Sequence, residues 1–273
     1  MIKGIKILLP ALLIAAMMFV SSCGDGSGGT ASREKLICGV TIFEPMNFRD
    51  DNNEWVGFDT EFAYAVGEIL DMDVEFQLIE WINKFIELDA GAIDAIWNGF
   101  TATANEPDGT PTIDLSSLSY SYMLNTQAIV VKTDRMSEFT VDTDLLGMTI
   151  AFEAGSAGES KAKNLAGENG GLVGVPKQIN SFIEVKSGAA DAAVMDIILA
   201  LEIVGKGDFF DLSISDIDLG SEVYAIGFRK GDPLRDKVNS AILQLYESGK
   251  LLELAQKWGL DERLVIDKSW GQW

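Results

Sequence analysis

An α/β protein built from two similar lobes, with a ligand cleft between them, is the fold the sequence predicts, and three observations predict it. The chain has 273 residues, 47% of them hydrophobic and 23% charged. That suffices for one large or two modest domains at roughly 100–200 residues each, and it is too apolar for a disordered chain. Short apolar runs suited to strands alternate with stretches of helical periodicity. One stretch returns: Phe85-Ile86-Glu87-Leu88-Asp89-Ala90-Gly91-Ala92-Ile93-Asp94-Ala95 recurs 97 positions later as Phe182-Ile183-Glu184-Val185-Lys186-Ser187-Gly188-Ala189-Ala190-Asp191-Ala192. In each copy the apolar residues stand at i, i+1 and i+3 of a helix. A glycine follows just past the helix end, where a left-handed residue is wanted, and then comes a short apolar strand. The spacing exceeds the 20–50 residues of stacked repeats, so each copy belongs to its own lobe.

The elements follow in chain order. Lys3 and Lys6 precede an apolar run from Ile7 to Val20, which is the length of a signal-peptide core and shorter than the ~20 residues of a spanning helix. Val20-Ser21-Ser22-Cys23 and the Gly/Ser stretch after it resemble the lipobox of bacterial lipoproteins. That resemblance implies a signal peptide over 1–22, lipid on Cys23, a flexible tether over 23–33 and a membrane attachment through the lipid anchor. The mature chain would be residues 23–273, with 19 basic and 42 acidic residues and a balance of 19 − 42 = −23. Cys38 is then the only other cysteine, a buried free thiol in the first strand with no intrachain partner. Strands are predicted at 36–40, 74–78, 128–131, 149–152, 192–195 and 224–228. Helices are predicted over 59–70, with Phe62, Ala65, Val66 and Ile69 on one face, and over 233–258, with Val238, Ile242, Leu245, Leu252 and Ala255 on one face. Ligands sit beyond the carboxyl ends of strands in open parallel sheets. That points to Trp97-Asn98-Gly99-Phe100-Thr101 in one lobe and Met195-Asp196 in the other.

Composition removes whole classes of function. With 21 basic and 42 acidic residues the formal charge is −21, so nucleic acid is a poor partner. There is no histidine, which excludes Ser-His-Asp and Cys-His nucleophile pairs, His-ligated zinc and an imidazole base near neutrality. The close acids Asp50-Asp51 and Asp71/Asp73 read as solvated turns rather than metal ligands. No metal and no cofactor is expected.

Six motifs in order carry a resemblance over about residues 36–260: Val56-Gly57-Phe58-Asp59, Gly91-Ala92-Ile93-Asp94-Ala95-Ile96, Thr101-Ala102-Thr103, Gly155-Ser156-Ala157-Gly158-Glu159, Asp191 to Asp196, and Arg229-Lys230-Gly231-Asp232-Pro233. Together they resemble the amino-acid-binding class of bacterial extracellular solute-binding proteins that serve ABC importers. The resemblance implies a periplasmic-binding-protein-like fold, with lobe 1 over 34–129 plus 225–273 and lobe 2 over 130–224. It further implies a monomer in the cell envelope that closes on an amino acid or related small amine and delivers it to a permease, without catalysis. A dehydratase-like enzyme on the same scaffold, which would need an acid and a base converging in the cleft, and a ligand-sensing protein are the alternatives.

Carried over residue by residue, the resemblance implies that Phe43 and Trp81 wall the pocket; packing in the core is the other reading of each. Asn98, Phe100 and Thr101 fall on the strand-end loop that holds ligand through backbone groups and a hydroxyl, and Thr101 could equally cap a helix. Ser156 precedes a helix whose N-terminus suits a carboxylate, or it merely caps that helix. Asp196 falls where a carboxylate pairs with the ligand's α-amino group, and Glu153 falls at a further pocket wall. Asp94 and Asp191, at strand starts after glycine turns, read as structural. One departure stands out. The family carries a carboxylate-clamping arginine after Thr-x-Thr, and here the matching position is Glu106, with no arginine anywhere between Arg49 and Arg135. Glu106 faces either the cleft, where with Glu153 and Asp196 it would favour a cationic ligand, or solvent. A ligand carboxylate would then rely on the Ser156 helix, on amides near Thr101, or on a lysine such as Lys84.

Overall fold

A computed structural model describes residues 33–271; the expected signal segment 1–22, Cys23 and the tether up to residue 32 lie outside the described residues. The chain opens with β1 (Glu34–Val40), β2 (Phe48–Arg49), β3 (Trp55–Val56), α1 (Phe58–Leu70), β4 (Met72–Leu78), α2 (Lys84–Asp89) and β5 (Ala95–Thr101). It continues through α3 (Thr112–Leu115), β6 (Ser117–Leu118), β7 (Ser121–Lys132), β8 (Thr149–Glu153), α4 (Ala157–Ala166), β9 (Gly171–Val175), α5 (Gln178–Ser187) and β10 (Ala192–Asp196). It closes with α6 (Ile197–Ile203), β11 (Leu212–Ile214), β12 (Ser221–Phe228), α7 (Leu234–Glu247), α8 (Lys250–Lys257) and β13 (Leu264–Asp267).

The main sheet runs β4-β1-β5-β12-β7-β10-β8-β9. Two parallel sets, β4-β1-β5 and β10-β8-β9, flank the antiparallel pair β12 and β7. The long strand β7 changes partner midway: Met123 to Thr126 pair with β12, and Gln127 to Val131 pair with β10. The last residues of β5 and β10 therefore point at the same place from opposite sides of that change.

The repeated stretch is a repeated structure. It forms α2 followed by β5, and α5 followed by β10, with Gly91 at φ 72 and Gly188 at φ 82 ending the helices. Asp94 Oδ2 accepts the Ile37 amide and Asp191 Oδ2 accepts the Thr149 amide, so each aspartate ties its strand to the neighbouring one. Each is also in an ion pair, Asp94 with Arg229 and Asp191 with Arg135. These two acids are structural, as their places after the glycine turns predict.

Two expectations need correction. The stretch 233–258 is not one helix: Gly249, at φ 79, separates α7 from α8. The break shifts the helical phase, so Leu251 is fully buried while Leu252, assigned by the uninterrupted period to the inner face, is 43% exposed. The strand expected at 128–131 is only the second half of the twelve-residue β7, because Asn125, Thr126 and Gln127 interrupt its apolar pattern. Elsewhere the pattern holds. Helix α1 buries Phe58, Phe62 and Val66, with the Phe62 ring centroid 5.2 Å from that of Trp97 on β5; fully burying such a side chain stabilises the fold by about 2 kcal/mol. Cys38 is a buried free thiol in β1. No helix among the described residues is long and apolar enough to cross a membrane.

Candidate functional site

One cavity lies where the ends of β5 and β10 meet the turn after β8. It is lined by Phe43, Trp81, Asn98, Phe100, Thr101, Glu106, Glu153, Ser156 and Asp196, together with Thr41, Lys84, Gly155 and Gln178. The nine residues singled out in the sequence are thus brought together around a single space, with Lys84 beside them.

The floor is built by backbone constraint. Asn98 spends its side chain on residue 41: its Oδ1 accepts the Thr41 amide at 2.9 Å and the Thr41 hydroxyl at 2.7 Å, and its Nδ2 donates to the Thr41 carbonyl at 3.1 Å. Gly99 adopts φ 58 within β5, where the pairing with β12 is irregular, and a Cβ there would stand 2.6 Å from the Phe43 ring, so the strand requires glycine at this point. The Gly99 amide donates to Asp59 Oδ2 at 2.7 Å, and the Tyr122 hydroxyl donates to the same oxygen at 2.9 Å. Burial pushes the Asp59 carboxyl up to about 7 against those two hydrogen bonds. Phe43 and Trp81 are both buried and both face the cavity, so packing and wall are one role. The Phe100 ring packs at 6.0 Å from Trp81 and from Phe85. Thr101 ends β5 rather than capping a helix.

The acids are the electrostatic centre. Asp196 Oδ1 accepts from Asn125, from Gln127 at 3.0 Å and from the Tyr224 hydroxyl at 2.9 Å, while Oδ2 accepts from Gln178 alone. A buried aspartate at this strand end does not therefore need a ligand to satisfy it; neutral donors on β7, β12 and α5 already do so. Oδ2 retains capacity for a further donor. Burial still raises the Asp196 carboxyl. Asn125 and Gln127 also donate to Glu222, at 3.3 and 2.9 Å, so the two amides stand between two carboxylates. Glu153 is pushed up to about 8, by burial first and by the charge of Asp196 second. Its Oε1 is buried and has no hydrogen-bond partner, and neither Glu153 nor Asp196 is in an ion pair among the described residues.

Glu106 lines the cavity and meets Lys84, whose Nζ lies 2.8 Å from Glu106 Oε2 and 2.8 Å from the Gly155 carbonyl oxygen. Lys84 is 1% exposed. Burial pulls the Lys84 ammonium down and Glu106 works against that; burial likewise raises Glu106, with Lys84 opposing. Ser156 occupies the N-cap position of α4 but makes no side-chain capping bond. The Gly155 amide is taken instead by Glu159 Oε2 at 2.7 Å.

Sequence reasoning missed Gln178, Thr41, Asp59 and the Asn125/Gln127/Tyr224/Glu222 group. Two polar residues at i and i+2 in an otherwise apolar strand are a weak signal for the last; nothing local marks Gln178. No group of three or more His, Cys, Asp or Glu side chains among the described residues is arranged to hold a metal ion.

A family model for bacterial extracellular solute-binding proteins, family 3, matches residues 36–261. The arginine-binding extracellular protein ArtP of Bacillus subtilis is 30% identical over 258 residues, covering 92% of this chain and 98% of that protein. Among solved structures, a mutant of ArgBP from T. maritima is 31% identical at a TM-score of 0.75, covering 82% of this chain and 95% of that one. An ABC uptake transporter substrate binding protein from Streptococcus pneumoniae with bound histidine is 31% identical at a TM-score of 0.73, covering 84% and 94%.

Proposed function

Because the chain belongs to the bacterial extracellular solute-binding proteins, family 3, we propose that it is the substrate-binding lipoprotein of an ABC importer and that its ligand is an amino acid with a basic side chain. The observation that carries the ligand class is the unpartnered Oε1 of Glu153 beside Asp196 on the cavity wall. Burying a carboxylate is costly, and hydrogen bonding from Gln178 and the charge of Lys84 offset only part of that cost for Glu153. A ligand with two cationic groups, an α-ammonium and a basic side chain, supplies a counter-charge to both Glu153 and Asp196 Oδ2, and Phe43 and Trp81 enclose the aliphatic part. Acidic amino acids meet repulsion there. Relatives named for arginine and a similar structure holding histidine support the same class.

In this reading residues 34–129 with 225–273 form one lobe and 130–224 the other. The closed pair of lobes is stabilised because the ligand touches both, Cys23 carries the lipid that holds the monomer at the envelope, and a permease receives the ligand. Binding occurs without turnover. Small-angle scattering and thermal melting with L-arginine, L-lysine and L-histidine test it: compaction and a raised melting temperature are expected. A broad panel of amino acids and amines that changes neither, or chemical conversion of any member, would overturn it.

A further inference from the structure

We propose that Lys84 anchors the carboxylate of the ligand and that Glu106 is a positioning residue that holds the Lys84 ammonium at the cavity wall. The inference rests on the amino-acid reading of the cavity. An ammonium carries three N–H donors. Lys84 spends one on Glu106 Oε2 and one on the Gly155 carbonyl, each at 2.8 Å, while the Phe85 and Trp81 rings stand 4.7 and 5.5 Å from Nζ. Among the described residues the third donor has no hydrogen-bond acceptor, in a side chain that is 1% exposed and lines the cavity beside Thr101 and Ser156. A carboxylate oxygen in the cavity completes that set.

The pair also accounts for the acid at residue 106, where the resemblance leads one to expect an arginine. The cation comes instead from α2, 22 residues earlier in the chain, and a buried lysine stays charged only with an opposite charge beside it. Glu106 is held on both flanks for this task. The Ser160 hydroxyl donates to the Asn105 carbonyl at 2.9 Å and Lys163 Nζ donates to the Pro107 carbonyl at 3.3 Å, fixing the segment against α4. Its own backbone closes a tight turn, with the Glu106 amide on the Thr110 carbonyl and the Gly109 amide on the Glu106 carbonyl, both at 2.8 Å. The anchor therefore exists only where α2, the 105–110 turn and the β8–α4 turn are in contact.

The test compares L-arginine and L-histidine with their decarboxylated forms, agmatine and histamine, by calorimetry. Wild type should prefer the amino acids. The double variant Lys84→Met, Glu106→Gln leaves neither member of that pair charged without the other and should lose about a hundredfold in affinity for the amino acids while binding the amines nearly unchanged. In Glu106→Gln alone, the unsupported ammonium loses its proton at lower pH. Amino-acid affinity should then fall off about one pH unit or more below the wild-type fall-off, with no shift for the amines. Wild type that binds amines as tightly as amino acids, or a double variant that still discriminates, overturns the anchor. A Glu106→Gln profile that superimposes on wild type overturns the positioning role. Wild type that binds none of the four probes overturns the amino-acid reading itself and the anchor with it.

Discussion

The carboxylate of Asp59, in the first turn of α1, accepts the amide of Gly99 at the end of β5 over 2.7 Å, forty residues away in sequence. Through this bond a fully buried helix residue sets the backbone of the strand end that forms the cavity floor, and the Tyr122 hydroxyl on β7 shares the same oxygen.

Asp59→Ala should destabilise the protein by about 2–4 kcal/mol in denaturant unfolding, because it leaves the Gly99 amide and the Tyr122 hydroxyl buried without an acceptor. Ligand affinity should fall as well, since the strand end loses its brace. A variant within about 0.5 kcal/mol of wild type would mean the strand end is held by something else.

Stability should fall as pH rises through neutrality. Glu153 is pushed from its usual 4.5 to about 8 and Asp59 from 3.8 to about 7. Between the unfolded and folded values the native state binds more protons than the unfolded state, so unfolding free energy declines from about pH 4 to about pH 8 and levels above that. Asp196, Glu106 and Glu222 are raised as well and add to the same trend, and Glu153→Gln removes the Glu153 contribution. At pH 8 it should be more stable than wild type, on the order of 2–4 kcal/mol, and at pH 4 nearly equal. An unchanged slope between these limits would show that Glu153 ionises freely in the fold.

Asp196→Asn should weaken binding of a basic amino acid by well over about a hundredfold, the cost of leaving a buried ligand cation without its partner. Asp196→Ala should add a loss of thermal stability, because Tyr224 and Gln178 lose their acceptor and Asn125 and Gln127 lose one of two, keeping Glu222. Comparing melting curves of the two variants separates the effects. Equal melting losses would mean that the charge, and not the hydrogen bonding, carries the stability.

Cys23→Ser should release the protein from membranes of its native cell and leave the signal segment unprocessed at that site. Fractionation and mass measurement of the amino terminus read both, and continued membrane retention would defeat the lipid anchor.

How much of this was legible depends on how local each signal is. The repeated helix, glycine and strand could be read directly, because a left-handed glycine and an aspartate that caps the next strand leave the same mark in both copies; Asp94 and Asp191 show it. Strand-end reasoning pointed to residues 97–101 and 195–196, the family resemblance supplied the nine positions one by one, and all nine line one space. What stayed hidden depends on partners far apart in the chain. Lys84 could be named only as one of three possible carboxylate partners, and its contacts with Glu106 and Gly155, 22 and 71 residues away in sequence, leave no local mark. Asn125 and Gln127 lie just before the strand predicted at 128–131 and show no role until Asp196 and Glu222 appear on either side. The break at Gly249 leaves no mark in the apolar spacing, because Leu252 and Ala255 extend the sequence period of Val238, Ile242 and Leu245 even though the left-handed glycine shifts the helical phase and buries Leu251 instead.

The central claim is that Glu153 and Asp196 make the cavity select a cation-bearing amino acid, and competitive calorimetry on the wild-type protein and Asp196→Asn tests it most directly. The account predicts one L-arginine, L-lysine or L-histidine bound per chain, at least about a hundredfold tighter than L-aspartate or L-glutamate, with that preference lost in Asp196→Asn. Tight binding of L-aspartate or L-glutamate to wild type, little changed in Asp196→Asn, would contradict it.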